Sequence, residues 1–128
     1  MHNKLFVSGL MILAITMIAG PASITQAAGD AKAGKNVFRK CAICHDVKPG
    51  KNKIGPSLHG VVGHKSAQAS GYRFSPAMKK AGLTWDAATL DKYLENPRKM
   101  VQGTRMAFAG LRSKKDRDNV IAYLKTLK

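Results

Sequence analysis

The sequence predicts a small all-α domain, because apolar residues recur at helical spacing in several short segments and no segment shows the apolar–polar alternation of a strand. A chain of 128 residues has room for one such domain. The clearest helix is the last one, where Ser113 followed by Asp116 resembles a capping box. Its apolar stripe consists of Val120, Tyr123, Leu124 and Leu127.

An earlier helix is predicted from about Asp30 to Lys40, with Asp30 as its N-cap. Its apolar face comprises Ala31, Gly34, Val37, Phe38 and Cys41. Residues 46–71 are rich in Gly, Ser, Lys and Asn and have no sustained period. A loop of this length inside a compact domain is uncommon. We therefore expect residues 46–71 to wrap around something that holds them in place.

Two further short helices are predicted between this loop and the last helix. Ser75 as N-cap, Pro76 in the first turn and Gly82 as a stop predict the first of them. The second is expected to run from about 86 to 95, with Thr84 as a candidate cap. Its inner face comprises Leu90, Tyr93 and Leu94.

The motif Cys41-Ala42-Ile43-Cys44-His45 carries the most chemistry, because Cys-x-x-Cys-His is the attachment site of a c-type haem. Two thiols three positions apart near the end of one helix can each add to a vinyl group on the same edge of one porphyrin. His45 then follows at once as a ligand for the iron. Since the chain has two cysteines, the motif uses both. We therefore predict one haem c, attached covalently through Cys41 and Cys44.

Three other interpretations of the two cysteines deserve comparison. A thioredoxin-like dithiol requires a βαβ context, which the pattern does not indicate. A closed zinc site needs four ligands, so His59 and His64 would have to join the two thiols. A short-loop disulfide is the third. The immediate sequence Cys-x-x-Cys-His favours haem attachment over all of them.

The N-terminus has the pattern of a secretory signal. Lys4 precedes an apolar run of 15 residues from Leu5 to Ala19, and small residues follow up to Ala28. The run is shorter than the ~20 residues that span a bilayer, although an uncleaved anchor is the alternative. We expect residues 1–27 to be removed by cleavage near Ala27 or Ala28. Residues 28–128 would then form the functional domain in the periplasm.

The charge is strongly positive, with 22 basic and 7 acidic residues and a net charge of +15. Without residues 1–27, which contain Lys4 alone among the charged residues, the net charge would be +14. Such a charge implies partners of opposite sign. A secretory signal and few interleaved aromatic residues argue against nucleic acid. We expect acidic docking faces of redox proteins, with anionic membrane surface as an alternative.

Taken together, several motifs resemble those of class I cytochromes c, over nearly all of residues 29–128. The resemblance implies a small cytochrome c fold of three to five helices around one covalently bound haem. The matching stretches are Gly29-Asp30-Ala31 with Gly34 and Phe38, Cys41–His45, Gly55-Pro56-Ser57-Leu58-His59-Gly60, Trp85, Tyr93-Leu94-Glu95-Asn96-Pro97, Gly103-Thr104-Arg105-Met106-Ala107-Phe108 and Ile121-Ala122-Tyr123-Leu124.

The resemblance assigns the iron ligands. His45 would be the proximal ligand, and the Pro56 carbonyl would bind the other imidazole nitrogen. Met106 would be the distal ligand through its thioether sulfur. From the residues alone, the sixth ligand stays open, although the flanking Gly-Thr-Arg and the loop position favour Met106. The candidates are Met78, Met100, Met106, His59 and His64.

Other residues acquire roles by the same resemblance. Trp85 would direct its indole N–H to a haem propionate, while Tyr93 and Thr104 would line the pocket near the methionine. Gly34 would allow the first helix to cross close to the last one. The chain departs from the mitochondrial pattern where a tyrosine, an arginine, an asparagine and a proline are common. Those positions hold Phe74, His64, Met78 and Gln102.

The function expected from this reasoning is electron transport. With His45 and Met106 both bound, the iron would have no open position for a substrate, so we expect no enzyme activity. The alternative is a haem peroxidase or a gas-binding haem protein with a labile sixth ligand. The expected partners are a quinol:cytochrome c reductase and a terminal oxidase or reaction centre, met by a monomer. Candidate basic residues around an exposed haem edge are Lys40, Lys53, Lys79, Lys80, Lys99 and Arg105.

Overall fold

Five helices joined by loops make up residues 29–128, the part of the chain that the computed structural model describes. No strand occurs within these residues, where the one isolated β-bridge joins Lys65 to Thr84. The all-α prediction is therefore confirmed. The predicted signal and its cleavage position lie outside the described residues. The helices are α1 (Ala31–Phe38), α2 (Pro76–Ala81), α3 (Ala87–Glu95), α4 (Pro97–Met100) and α5 (Lys114–Leu124).

Three of the predicted helix starts are confirmed by side-chain caps. The Asp30 carboxylate accepts hydrogen bonds from the backbone N–H of Lys32 (2.7 Å) and of Ala33 (3.1 Å) at the start of α1. Ser75 caps α2 and Ser113 caps α5 through their hydroxyl oxygens, 3.1 and 3.2 Å from the backbone nitrogens that donate to them. Each cap satisfies N–H groups that have no partner inside the helix.

Two predicted details were wrong. The cap of α3 is Asp86, whose carboxylate accepts from the Thr89 N–H at 2.7 Å, whereas Thr84 lies in the β-bridge to Lys65. Helix α1 ends at Phe38 rather than at residue 40. Beyond it the backbone tightens, since the N–H of residue 40 donates to a carbonyl three residues back at 3.1 Å. This tighter turn leads directly into the cysteine motif.

Helix α1 crosses α5 at very close range because Gly34 has no side chain. A Cβ on Gly34 would collide with the backbone of Asn119 and would lie 2.9 Å from the Cβ of Tyr123. The Phe38 and Tyr123 rings pack beside this crossing with centroids 5.1 Å apart. The Asn119 side chain also accepts from the Asp30 N–H at 2.8 Å. The predicted close crossing at Gly34 is thus present.

A buried guanidinium joins α5 to α3 and to the segment 101–113 that connects α4 with α5. Arg117 is 5% exposed, and its Nε donates to the Asp91 carboxylate at 2.8 Å. Its Nη1 donates to the backbone carbonyls of Leu111 (2.8 Å) and Arg112 (2.9 Å). These bonds hold the end of the connecting segment against the two longest helices.

The core combines one face of each main helix with residues from the loops. Residues 46–71 contain no helix and enclose part of a large cavity, as expected for a loop that wraps around something. None of the helices within residues 29–128 is long and apolar enough to cross a membrane. The buried hydrophobic residues are Phe38, Met78, Trp85, Leu90, Tyr93, Leu94, Val101, Leu111, Val120, Ile121 and Leu124.

Candidate functional site

A cavity of about 750 Å³ lies between the long loop, α3 and the segment after α4. Its size falls in the range of pockets that enclose an organic ligand or cofactor. Its wall is largely apolar and includes core side chains from α3 and α5. The predicted site residues that line it are Cys41, Cys44, His45, Pro56, Trp85, Tyr93, Thr104 and Met106.

The cysteine motif reaches the cavity because the chain makes a tight turn immediately after α1. The Cys41 N–H donates to the Phe38 carbonyl at 2.8 Å, and the Cys41 carbonyl accepts from the N–H groups of Cys44 (3.0 Å) and His45 (2.9 Å). Both thiols are free in the structure. Burial raises the pKa of the Cys41 thiol, the charge of Lys40 opposes this effect, and Cys44 adds to it.

His45 is oriented by the loop that follows the motif. Its Nδ1–H donates to the backbone carbonyl of Pro56 over 2.7 Å, since a carbonyl can only accept. Burial lowers the pKa of His45, the bond to Pro56 opposes that shift, and the charge of Lys53 adds to it. The neutral imidazole with its proton on Nδ1 has a lone pair on Nε2, which is the form that binds a metal.

Gly55 allows this loop to approach the imidazole. A Cβ at this position would lie 2.7 Å from Nδ1 and 2.9 Å from Nε2 of His45, closer than such atoms approach one another. The Gly55 N–H donates to the Cys44 carbonyl at 2.8 Å, which ties the loop to the motif. A glycine before Pro56 is therefore required for the histidine to keep its partner.

Met106 lies in the segment between α4 and α5 and also lines the cavity. The Tyr93 hydroxyl donates to its thioether sulfur over 3.8 Å, and its own backbone N–H donates to the Thr104 hydroxyl at 3.2 Å. Burial raises the pKa of Tyr93, while a side-chain hydrogen bond with Thr104 lowers it in part. The hydroxyl therefore stays protonated and available as a donor at neutral pH.

Among the alternative sixth ligands, Met78, His59 and His64 line the same cavity, whereas Met100 does not. The position of the cavity therefore argues against Met100 as the sixth ligand, but it does not distinguish among the other four candidates. Met106 differs from the others in that a hydroxyl donor is aimed at its sulfur. The choice of Met106 stays a prediction, as does the contact of Trp85 with a propionate.

The remaining interpretations of the cysteines find no support in the fold. Residues 29–128 contain no group of three or more His, Cys, Asp or Glu side chains arranged to hold a metal ion, which removes the zinc interpretation. The cysteines are not paired, and a βαβ unit is missing from the described helices and loops. A cofactor held by thiols and an imidazole in an apolar cavity fits all of these observations.

Several residues that build the site were not assigned roles by the sequence. Gly55 is one, although its place before Pro56 was a usable signal. Tyr72 donates its hydroxyl proton to the Ile54 carbonyl at 2.7 Å, and Lys53 donates to the Ala42 carbonyl at 2.7 Å. These bonds join the long loop to the turn of the motif. No pattern in the local sequence predicts these two hydrogen bonds.

The basic residues expected around a haem edge divide into two groups. Lys40 and Arg105 line the cavity, and Lys53 bonds to the motif turn beside it. The other three lie on helices: Lys79 and Lys80 on α2 and Lys99 on α4. None of those three contributes to the cavity wall.

Comparison with known proteins identifies the family. The profile of the Cytochrome c family matches residues 31–128. The chain belongs to the cytochrome c family. It is 53% identical over 102 residues to cytochrome c2 of Rhodoblastus acidophilus, covering 79% of this chain and 95% of that protein. It is 44% identical over 119 residues to cytochrome c-554 of Methylosinus trichosporium, covering 92% of this chain and 90% of that protein.

A solved structure supports the same family. Cytochrome cH from Methylobacterium extorquens superposes with a TM-score of 0.74 at 52% identity, covering 77% of this chain and 99% of that chain. The predicted class I cytochrome c and its small all-α fold are therefore confirmed. Cytochromes of this family carry haem c covalently and transport electrons, and this chain has its two cysteines at the required spacing. It is thus a haem c protein and an electron carrier.

Proposed function

We propose that this cytochrome c holds its haem through Cys41 and Cys44 and binds the iron with His45 and Met106. The observation that carries the proposal is the convergence of these four side chains on one apolar cavity. Pro56, Trp85, Tyr93 and Thr104 complete the pocket. The cytochrome would pass single electrons from a quinol-oxidising complex to a terminal oxidase or a reaction centre.

The bound haem supplies an iron that gains and loses one electron. The chain's contribution on the proximal side is to present a neutral, correctly oriented imidazole. The Pro56 carbonyl does this by accepting a hydrogen bond from the Nδ1–H of His45, which leaves Nε2 free to bind and makes the imidazole a stronger ligand. Gly55 keeps the Pro56 carbonyl at that distance.

On the distal side, Met106 would occupy the last coordination position. A thioether ligand paired with histidine raises the reduction potential relative to two histidines. Tyr93 restrains the sulfur through its hydroxyl, and Thr104 holds the Met106 backbone. Because His45 and Met106 would both bind the iron, no position would be left for peroxide or a gas. This favours an electron carrier over a peroxidase or a gas-binding protein.

Docking would depend on charge. The chain carries a net charge of +15, and Lys40 and Arg105 lie at the cavity where one edge of the haem would be reached. A cationic surface is steered toward an acidic partner at long range. We propose acidic docking faces on the donor and on the acceptor, each met in turn by a monomer.

The location is proposed from the first 27 residues, which have the composition of a secretory signal. Cleavage near Ala27 or Ala28 would leave residues 28–128 in the periplasm. N-terminal sequencing of the native protein tests this. Membrane-bound material that still begins at Met1 would contradict it.

The ligand assignment is tested with three methionine variants. Met106→Ala should abolish the weak red absorption band of the methionine–iron bond, lower the potential and allow external imidazole to bind. Met78→Ala and Met100→Ala serve as controls and should keep the band. Acid–acetone extraction followed by mass measurement should find the haem still on the polypeptide in all three. A band that persists in Met106→Ala would refute the assignment.

A further inference from the structure

Pro56, whose carbonyl accepts from His45, has no further backbone group that could fix its own position. Proline has no N–H to donate, and the Pro56 carbonyl is already engaged by the Nδ1–H of His45 at 2.7 Å. The residue before it is Gly55, and glycine has the greatest backbone freedom of all residues. The place of the Pro56 carbonyl therefore depends on the bonds of the neighbouring residues, which include Ile54 and Ser57.

Both of these neighbours are held by side chains that join them to a segment 18 residues further along the chain. The Ile54 carbonyl accepts from the Tyr72 hydroxyl at 2.7 Å. The Ser57 N–H donates to the side-chain oxygen of Asn52 at 3.0 Å, and the side-chain nitrogen of Asn52 donates to the Ser70 carbonyl at 2.9 Å. The orientation of this amide is fixed, since a backbone N–H can only donate and a carbonyl can only accept.

The segment that holds these residues is itself attached to the core. The Tyr72 ring packs edge-on against the Phe74 ring, with centroids 4.8 Å apart, and Phe74 packs against the buried core cluster. Ser66 is 6% exposed; its N–H donates to the Leu83 carbonyl at 2.7 Å, and its hydroxyl accepts from the Leu83 N–H at 3.1 Å. The segment can therefore serve as a fixed support for the loop around Pro56.

The placement of these bonds separates them from ordinary contacts between loops. One bond ends on the residue before Gly55-Pro56 and the other on the residue after it. The two bonds thus bracket the dipeptide that presents its carbonyl to His45. A bond that fixed the loop only in general would have no need to fall on these two positions.

We propose that Asn52 and Tyr72 are positioning residues for the proximal ligand. Their bonds hold the Pro56 carbonyl against the Nδ1–H of His45. This inference rests on the proposed function, in which His45 binds the iron, and makes it more specific. The partner of a metal-bound imidazole sets both its orientation and its strength as a ligand. Loss of either bond should therefore loosen the hydrogen bond of the imidazole before it unfolds the domain.

The test uses the intact haem-loaded protein and follows solvent exchange of the His45 Nδ1 proton by NMR, with the backbone amides of α5 as the reference. Tyr72→Phe and Asn52→Ala should each speed this exchange about three- to tenfold relative to the reference, as expected when one hydrogen bond is lost. Asn52→Asp keeps an acceptor for the Ser57 N–H, so its exchange should be slower than that of Asn52→Ala. Tyr123→Phe is the matched control, because it removes a hydroxyl from α5, and it should exchange like the parent.

The outcomes separate this inference from the proposed function. If Tyr72→Phe and Asn52→Ala leave the exchange of the His45 proton unchanged, or speed that of the α5 amides equally, the bonds do not position the imidazole. The inference is then overturned while the proposed function stands. Equal exchange in Asn52→Asp and Asn52→Ala, or in Tyr72→Phe and Tyr123→Phe, would overturn it as well. If the ring signals of His45 in the parent are not those of an iron-bound imidazole, both the inference and the proposed function fall.

Discussion

Replacement of Arg117 by methionine should destabilise this protein, because Arg117 is the one charged side chain that is buried within residues 29–128. Arg117 is 5% exposed, and it bonds to Asp91 and to two backbone carbonyls. Methionine has a similar length and no charge, so Arg117→Met removes the hydrogen bonds without opening a large cavity. The change therefore isolates the hydrogen bonds of this side chain.

The magnitude follows from what each partner loses. The Leu111 carbonyl is buried and accepts only from Arg117, so its loss of a partner costs about 1–3 kcal/mol. The carbonyl of Arg112 belongs to an exposed residue and can turn to water. Asp91 is 26% exposed and keeps Lys114 at 3.9 Å, so it adds at most about 1 kcal/mol. The total is about 1–4 kcal/mol, and each kcal/mol lowers Tm by about 4–8 °C in a domain of this size.

The assay is denaturant unfolding of the haem-loaded protein, followed by the fluorescence of its one tryptophan, Trp85. Lys114→Met is the matched control, because Lys114 is a basic residue of the same helix and its side chain is 47% exposed. It should cost no more than about 0.5–1 kcal/mol. A loss below about 1 kcal/mol in Arg117→Met, or equal losses in the two variants, would refute the reasoning.

Three further predictions address packing, pH and docking. Gly34→Ala should lower the free energy of unfolding by about 3 kcal/mol or more in a denaturant titration, because the new Cβ would meet the backbone of α5. Gly50→Ala is the control. Gly50 has open space around it and a φ of +66°, so this change should lower the free energy of unfolding by only about 1–2 kcal/mol. Burial raises the folded-state pKa of Tyr93, so its contribution to stability should be complete below the unfolded pKa of ~10 and be lost as the pH rises through the folded pKa. In a stability titration at alkaline pH, Tyr93→Phe should not show this loss. Identical titration curves for the parent and Tyr93→Phe would contradict the prediction. Lys40→Glu, at the cavity wall, should slow association with an oxidase more than Lys125→Glu at low salt, with both rates converging at high salt. Equal losses at low salt would speak against a directed docking face.

The helices were predictable where their signals are local. Asp30, Ser75 and Ser113 each bond to N–H groups within three residues, so the sequence contains both halves of the interaction. Thr84 and Asp86 are both able to cap a helix, and the choice between them was decided by a distant contact. Thr84 is drawn into a bridge with Lys65, which leaves Asp86 to cap α3.

The haem-attachment motif was predictable from the sequence, whereas the hydrogen bonds that hold the loops around the site were not. The spacing of Cys41, Cys44 and His45 is a local pattern that the covalent attachment itself demands. Arg117 and Tyr72 reach partners that are up to 26 and 18 residues away, and no periodicity or cap marks such pairs. Contacts of that kind depend on how loops settle around the cavity, which the sequence pattern does not encode.

These contacts also differ in strength on the two sides of the cavity, and the difference bears on function. His45 is held by a backbone bond to Cys41 (2.9 Å) and a short bond to Pro56 (2.7 Å), inside the hydrogen-bonded turn of the cysteine motif. Met106 is held by one bond from its N–H to Thr104 and by a 3.8 Å contact of its sulfur with Tyr93. A thioether is a weak acceptor, so this contact contributes little by itself. The segment that carries Met106 is closed further along by Arg117, which donates to the Leu111 carbonyl, and by the Leu111 N–H, which donates to the Leu94 carbonyl at 2.7 Å. With His45 and Met106 as the proposed ligands in both oxidation states, the protein would rely on this buried arginine as well as on the pocket itself.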